Sequence, residues 1–399
     1  MQITDNARAL ETPPAPQVGE PASAERIAAL DVARGIAILL VIYAHGLQAF
    51  FAVGPDAAFS DAAFAQWRVV YSFHMPLFFL ISGMTARNLR QKSWRRILEQ
   101  ALALVAIAYV SHIAGVALSA ALGRVPAEAG AAVKTLVRPM LIGKDFSIVT
   151  TWFLVALAGV QILAAAIVKG PGAARLAAIA LLGFIVVANP FIPNPFQIKS
   201  LAPGVLFYLA GYALMRFGAL PPAFVWAPCL AAVVALAPLN GACLVEWSCA
   251  PLKGFVPEFL GGRFGVLMIT GDIGFPPLFA LTALLGALAV LSLSRQLATS
   301  RFGAALAWNG RNALDLVLVN GFFLVFLQPA FARLPLADTA IWRVGLGLSI
   351  VAANLVLFVI LAPFIRRLVG FSRLCAARAV NAGARSPRAR RAPSGVGEA

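Results

Sequence analysis

An arginine and a histidine, Arg34 and His45, stand eleven positions apart in the apolar run 30–50. On a helix turning ~100° per residue that spacing makes three turns plus about 20°, so both side chains share one face, roughly 16 Å apart along the axis. Ionisable groups inside a membrane-length apolar helix are costly to bury and mark a pathway or an active site. Imidazole, with an unperturbed pKa of ~6.5, can take a proton from a hydroxyl at neutral pH or act as a nucleophile. A guanidinium fork suits phosphate. One helix face thus carries an acid–base group and an anion-binding group.

His74 is the second candidate, in Y-S-F-H-M-P-L-F-F-L-I-S-G. Pro76 cannot donate to the Ser72 carbonyl and is expected to bend the helix there. Ser82-Gly83 offers a close helix contact further along. The following loop, R-N-L-R-Q-K-S-W-R-R, carries Arg87, Arg90, Lys92, Arg95 and Arg96. Such a run satisfies the positive-inside rule, and it would equally suit a donor bearing several phosphates. His112, flanked by V-S and I-A, is read as a neutral side chain bonded to a nearby carbonyl.

Later polar groups are Trp152 in T-T-W-F-L, and Arg311, Asn312, Asp315 and Asn320 in W-N-G-R-N-A-L-D-L-V-L-V-N-G. Trp152 reads first as an interfacial tryptophan and second as a sugar-stacking ring. Arg311 and Asp315, four apart, are expected to pair on one helix, as a structural or a functional group.

The elements that position these residues are membrane helices. Of 399 residues 61% are hydrophobic and 12% charged, about half the usual charged fraction. The expected fold is all-α and polytopic, with about ten spans: 33–53, 69–86, 97–122, 149–168, 175–192, 201–217, 223–239, 274–294, 302–327 and 340–362. The stretch before the eighth, G-D-I-G-F-P-P, reads as a broken entrance to its helix. With both termini cytoplasmic, 22 of the 32 Lys and Arg fall in the cytoplasmic half and 10 outside. That bias accounts for the net charge of +16 without a nucleic-acid partner. In this topology His45 lies ~12 Å and His74 ~8 Å below the outer face, so the two imidazoles can share one site.

Residues 1–28 read as a disordered cytoplasmic arm, 29–365 as the membrane domain and 366–399 as a basic disordered tail that could touch anionic lipid headgroups. No cleavable leader is visible in the arm. Cys243 and Cys249 share a short loop, bridged or free. No metal-ligand spacing occurs, and no metal is expected.

The segment L-D-V-A-R-G-I-A-I-L-L-V-I-Y-A-H resembles the first-helix signature of the integral-membrane acyltransferase-3 family, an arginine, ten residues, then a histidine. F-H-M-P-L-F-F-L-I-S-G is similar to that family's second-helix motif in fucose O-acetylase-like members. T-T-W-F-L and W-N-G-R-N-A-L-D-L resemble two later elements. The resemblance implies transfer of an acyl group, usually acetyl, from cytoplasmic acetyl-CoA to a glycan hydroxyl at a bacterial inner membrane. It implies His45, paired with Arg34, as the essential residue, Arg87 and Arg90 with Arg34 at the donor, and His74 beside His45. Trp152, Asn312 and Asp315 are the candidate acceptor contacts. Ala313 stands where serine is common, and Asn320 where some members carry histidine. Two other readings fit buried Arg, His and Asp: a transporter or flippase for a glycan or lipid-linked intermediate, and an acyltransferase for a non-glycan acceptor.

Overall fold

A computed structural model describes residues 21–48, 60–86, 88–125, 128–189, 191–216, 220–241, 264–331 and 340–384. Arg87, the cysteine pair of the 242–263 loop, most of the N-terminal arm and the tail beyond 384 lie outside them. Among the described residues the chain is all-helical, with one isolated bridge between Leu267 and Asp272. Six helices are long and apolar enough to cross a membrane, and three shorter apolar helices accompany them. The chain is therefore an all-α, multi-pass membrane protein.

Helix α1 (Pro21–Gln48) is the central element. Val32, Ala33, Ala37, Ile38, Val41, Ile42, Ala44 and Leu47 are all buried. A helix apolar around most of its girth must be enclosed by others. Around it stand α2 (Asp61–Tyr71), α3 (His74–Met84), α10 (Pro276–Leu297), α11 (Arg301–Arg311), α12 (Ala313–Phe326) and α13 (Ala340–Ala384). Between them in the chain lie α4 (Trp94–Ala121), α5 (Ala129–Ile142), α6 (Trp152–Lys169), α7 (Gly172–Ala188), α8 (Leu201–Arg216) and α9 (Trp226–Leu236).

Glycines set the closest crossings. A Cβ on Gly35 would lie 1.9 Å from the Leu306 carbonyl oxygen, and one on Gly310 would lie 1.8 Å from that of Asp31. The α1–α11 contact is therefore backbone on backbone. Gly83 on α3 and Gly211 on α8 make a second reciprocal pair, facing the carbonyls of Tyr208 and Leu80. The close contact expected at Ser82-Gly83 is this one.

The expected spans differ from the structure in five places. The first helix begins at Pro21, inside the stretch read as a disordered arm. The second span is two helices, broken at Ser72–Phe73, where Pro76 withholds a donor from the Ser72 carbonyl. The ninth is also two helices, broken at Asn312, whose φ of −102° and ψ of 15° leave the helical region. The loop 123–148 contains helix α5, with Val133, Val137 and Leu141 exposed at i, i+4 spacing, an apolar stripe suited to lipid. The last span runs on as one helix to Ala384. Residues 366–384, read as disordered from their arginines, carry a buried stripe of Leu368, Val369, Ser372 and Ala376 that continues from Ile365 and keeps the helix docked.

Candidate active site

His45, near the end of α1, and His74, the first residue of α3, line one cavity of about 250 Å³. Tyr71, from the end of α2, sits between them, its ring 6.2 Å from His45 and 4.5 Å from His74. The break at Ser72–Phe73 makes this possible, because it turns α3 so that His74 faces the same space as α1 and α2. His74 Nδ1 lies 3.0 Å from the Val70 carbonyl oxygen. A carbonyl only accepts, so Nδ1 carries the proton and Nε2 keeps a lone pair. His45 Nδ1 lies 2.7 Å from Asn320 Oδ1, and Asn320 Nδ2 lies 3.2 Å from Asn354 Oδ1. His74, Asn320 and Asn354 are buried, and His45 is partly open.

Trp152 closes one side of this cavity. It opens α6 directly after the 3-10 turn Val149–Thr151. Thr150 Oγ1 donates to the Val317 carbonyl at 2.9 Å and Thr151 Oγ1 to that of Ile148 at 2.7 Å, so the turn is tied to α12 and to itself. The tryptophan, 9% exposed, is a buried wall rather than an interfacial ring.

Val149, Trp152, Ile269 and Thr270 also line a second cavity of about 650 Å³. Its rim is polar: Lys144, Asp145, Asn194, Gln197, Lys199 and Asp272. Asn194 organises it, donating from Nδ2 to the Ile269 carbonyl at 2.7 Å and accepting the Lys199 N–H at 3.0 Å. Asp145, Phe196 and Gln197 have φ of 62°, 49° and 58°. Left-handed backbone at three non-glycine residues is costly and concentrates at ligand sites. Burial pushes the Asp272 carboxyl up, opposed by the Thr270 hydroxyl and by Lys199.

At the other end of α3, Ser82, Thr85, Lys92, Glu99, Gln161 and Arg373 line a third cavity of about 490 Å³, with two basic side chains against one carboxylate. A fourth, shared at Thr85, Ala86 and Lys92, adds Arg96. Gln161 Oε1 is buried and has no partner among the described residues. The histidine cavity and this basic one are one helical turn apart: Phe78 and Ser82 on α3, and Val317 and Leu314 on α12, face the two spaces in turn. Three or four residues of helix span only ~4.5–6 Å. Burial, with Arg96 nearby, lowers the pKa of the Lys92 amine.

The remaining sequence candidates lie elsewhere. Arg34 is paired with Asp31 at 2.9 Å on the α1 face toward α11, away from these cavities. Arg90 is exposed. Among the described residues of the basic loop, Lys92 and Arg96 are the basic side chains that line a cavity. The expected Arg311–Asp315 pair does not form, because the break at Asn312 puts them on different helices. Arg311 lies 3.8 Å from Asp31, and Asp315 lies 3.7 Å from Arg366. Asn312 bonds to the Trp308 carbonyl and to Arg366. His112 accepts the Ser147 N–H at Nδ1, 3.0 Å away, and its Nε2 is 3.0 Å from the Leu136 carbonyl oxygen, so it fastens α4 to α5 and to the 147 loop. Among the described residues no three His, Cys, Asp or Glu side chains cluster as metal ligands.

Fold and site together define a multi-pass membrane protein with two histidines on one cavity, which adjoins two others. A family model described as an acyltransferase domain, acyltransferase-3, matches residues 27–367. The chain belongs to that family and is a membrane acyltransferase. No curated protein and no solved structure matches it.

Proposed function

We propose that the protein moves an acyl group, acetyl first among the candidates, from acyl-CoA on the cytoplasmic side to a hydroxyl of a glycan on the far side of a bacterial inner membrane. The observation that carries this reading is the order of the cavities: a basic one, then the two-histidine one a helical turn away, then a polar one sharing Trp152 with it. A donor with phosphates fits Lys92, Arg96 and Arg373, and its thin pantetheine arm has one helical turn to pass. The unpartnered Gln161 Oε1 supplies an acceptor for an amide N–H of that arm. The sugar acceptor fits the polar cavity, with its hydroxyl past Trp152 toward His45.

The step balances without a further reagent. The acceptor hydroxyl oxygen attacks the thioester carbonyl carbon while the His45 imidazole takes the hydroxyl proton. The C–S bond then breaks, and the CoA sulfur leaves with that proton. His74, on the same cavity, orients the acceptor. General-base help is worth ~10²–10⁴-fold, so His45→Ala is expected to lower acyl transfer by about that factor. Membranes carrying wild type or His45→Ala, incubated with radiolabelled acetyl-CoA, test this. Equal label in the glycan and lipid fractions of both removes His45 from the chemistry, and no label with wild type removes acetyl as the group transferred.

A further inference from the structure

Asn320 Oδ1, 2.7 Å from His45 Nδ1, is the first link of a chain that ends on a backbone carbonyl. Asn354 Nδ2 lies 2.9 Å from the Ile350 carbonyl oxygen, one turn back on α13. A carbonyl oxygen cannot donate, so the Asn354 atom facing it is the amide nitrogen, and Asn354 Oδ1 points the other way. That oxygen, 3.2 Å from Asn320, needs a donor, which Asn320 supplies as its own Nδ2. Asn320 therefore presents Oδ1 to His45, and Oδ1 only accepts. His45 Nδ1 must carry the proton. Both asparagines are fully buried, so water does not offer either amide an alternative orientation.

We infer that Asn320 and Asn354 are positioning residues that lock His45 into the Nδ1–H tautomer and leave the Nε2 lone pair as the base facing the cavity. Three helices contribute: α1 holds the imidazole, α12 the acceptor, and α13 the anchor that decides which way the acceptor points. The link is neutral throughout, so the imidazolium formed in the reaction is steadied by a hydrogen bond and not by a carboxylate. The catalytic use of this tautomer rests on the proposed acyl transfer, whereas the tautomer itself does not.

The chain has only three histidines, which makes the tautomers directly readable. Nitrogen-15 NMR of the purified full-length protein, labelled at histidine and assigned with His74→Gln and His112→Gln, reports which ring nitrogen carries hydrogen. The expected pattern is Nδ1–H for His45 and His74 and Nε2–H for His112. A His45 signal with hydrogen at Nε2, or with both forms averaged, overturns the inference whatever the protein's activity. In Asn354→Leu, which removes the anchor at similar volume, His45 is expected to show both forms and transfer to slow about tenfold or more with the donor KM unchanged. In Asn320→Asp the carboxylate still accepts from Nδ1, so the Nδ1–H form is retained. A single Nδ1–H form in folded Asn354→Leu would show that the chain does not set the tautomer. A correct tautomer pattern in a protein that transfers no acyl group would overturn the acyl-transfer reading and leave the positioning intact.

Discussion

Arg34 and Asp31 form an ion pair one helical turn apart on α1, with Nη1 of the arginine 2.9 Å from Oδ1 of the aspartate. The other oxygen of Asp31 is 3.8 Å from Arg311 on α11. One carboxylate thus faces two guanidiniums where α1 and α11 touch backbone to backbone. The arginine singled out by its spacing from His45 is positioned as a fastener of that crossing. Partly exposed ion pairs are worth ~0–1 kcal/mol. Arg34→Lys is therefore expected to lower thermal stability in detergent slightly and to leave the apparent KM for acyl-CoA within about twofold. A several-fold rise in that KM would return Arg34 to the donor site.

The glycine crossings give a sharper stability prediction. An added methyl on Gly310 or Gly83 would meet a carbonyl oxygen at 1.8 Å, and neither backbone can retreat without moving a whole helix. Overpacking typically costs 1–3 kcal/mol, at the upper end where backbone must shift. Gly310→Ala and Gly83→Ala are expected to reduce the yield of folded protein and lower its melting temperature. Gly183 on α7 has nothing within 4 Å of the same position, so Gly183→Ala is the control expected to be neutral or stabilising by ~0.5–1 kcal/mol. Fluorescence-detected size-exclusion after graded heating reads all three, and equal behaviour would refute the packing account.

Much of this was readable in the residues themselves. The eleven-residue spacing of Arg34 and His45 made a helix face visible, and Pro76 marked the bend four residues ahead of itself that aims His74. The break at Asn312 is not visible in the sequence, because no proline follows it within the span and the hydropathy runs on. The Arg311–Asp315 pair therefore looked natural on paper. In residues 366–384 the arginines mask, in composition, the buried stripe from Ile365 to Ala376 that keeps the helix docked. Asn354 does leave a signal: it is the sole strongly polar side chain in V-A-A-N-L-V-L-F. Its role depends on α12 lying beside α13, a tertiary fact that periodicity cannot supply.

Lys92 carries a pH-dependent prediction. Its Nζ donates to Gln100 Oε1 at 2.6 Å, and it lines both basic cavities. Burial and Arg96 lower its pKa, so the amine loses its charge at a lower pH than the ~10.4 of an ordinary lysine. If it holds donor phosphates, donor affinity is full while Lys92 is charged and falls as pH rises through that lowered value. Lys92→Arg, charged throughout, is expected to remove the alkaline loss, and Lys92→Glu to raise the donor KM several-fold at neutral pH. CoA binding to the solubilised protein across the alkaline range checks both, and matching curves for wild type and Lys92→Arg would place the phosphates elsewhere.

Trp152 carries a prediction that separates the acceptor from the donor. Its indole is shared by the histidine cavity and the polar one, and the turn before it is pinned by Thr150 to the Val317 carbonyl. An acceptor sugar coming from the polar side would pass this ring, and an aromatic face suits the apolar face of a pyranose. The donor, coming from the Lys92 side, would not meet it. Trp152→Ala is expected to raise the acceptor KM about tenfold or more while the donor KM stays within about twofold. Trp152→Phe, which keeps an aromatic face, is expected to recover much of the loss. The readout is a two-substrate kinetic comparison with saturating acyl-CoA and varied acceptor. A matched rise in both constants would mean that Trp152 merely holds the histidine cavity in shape, and a rise in the donor constant alone would reverse the assignment of the two cavities.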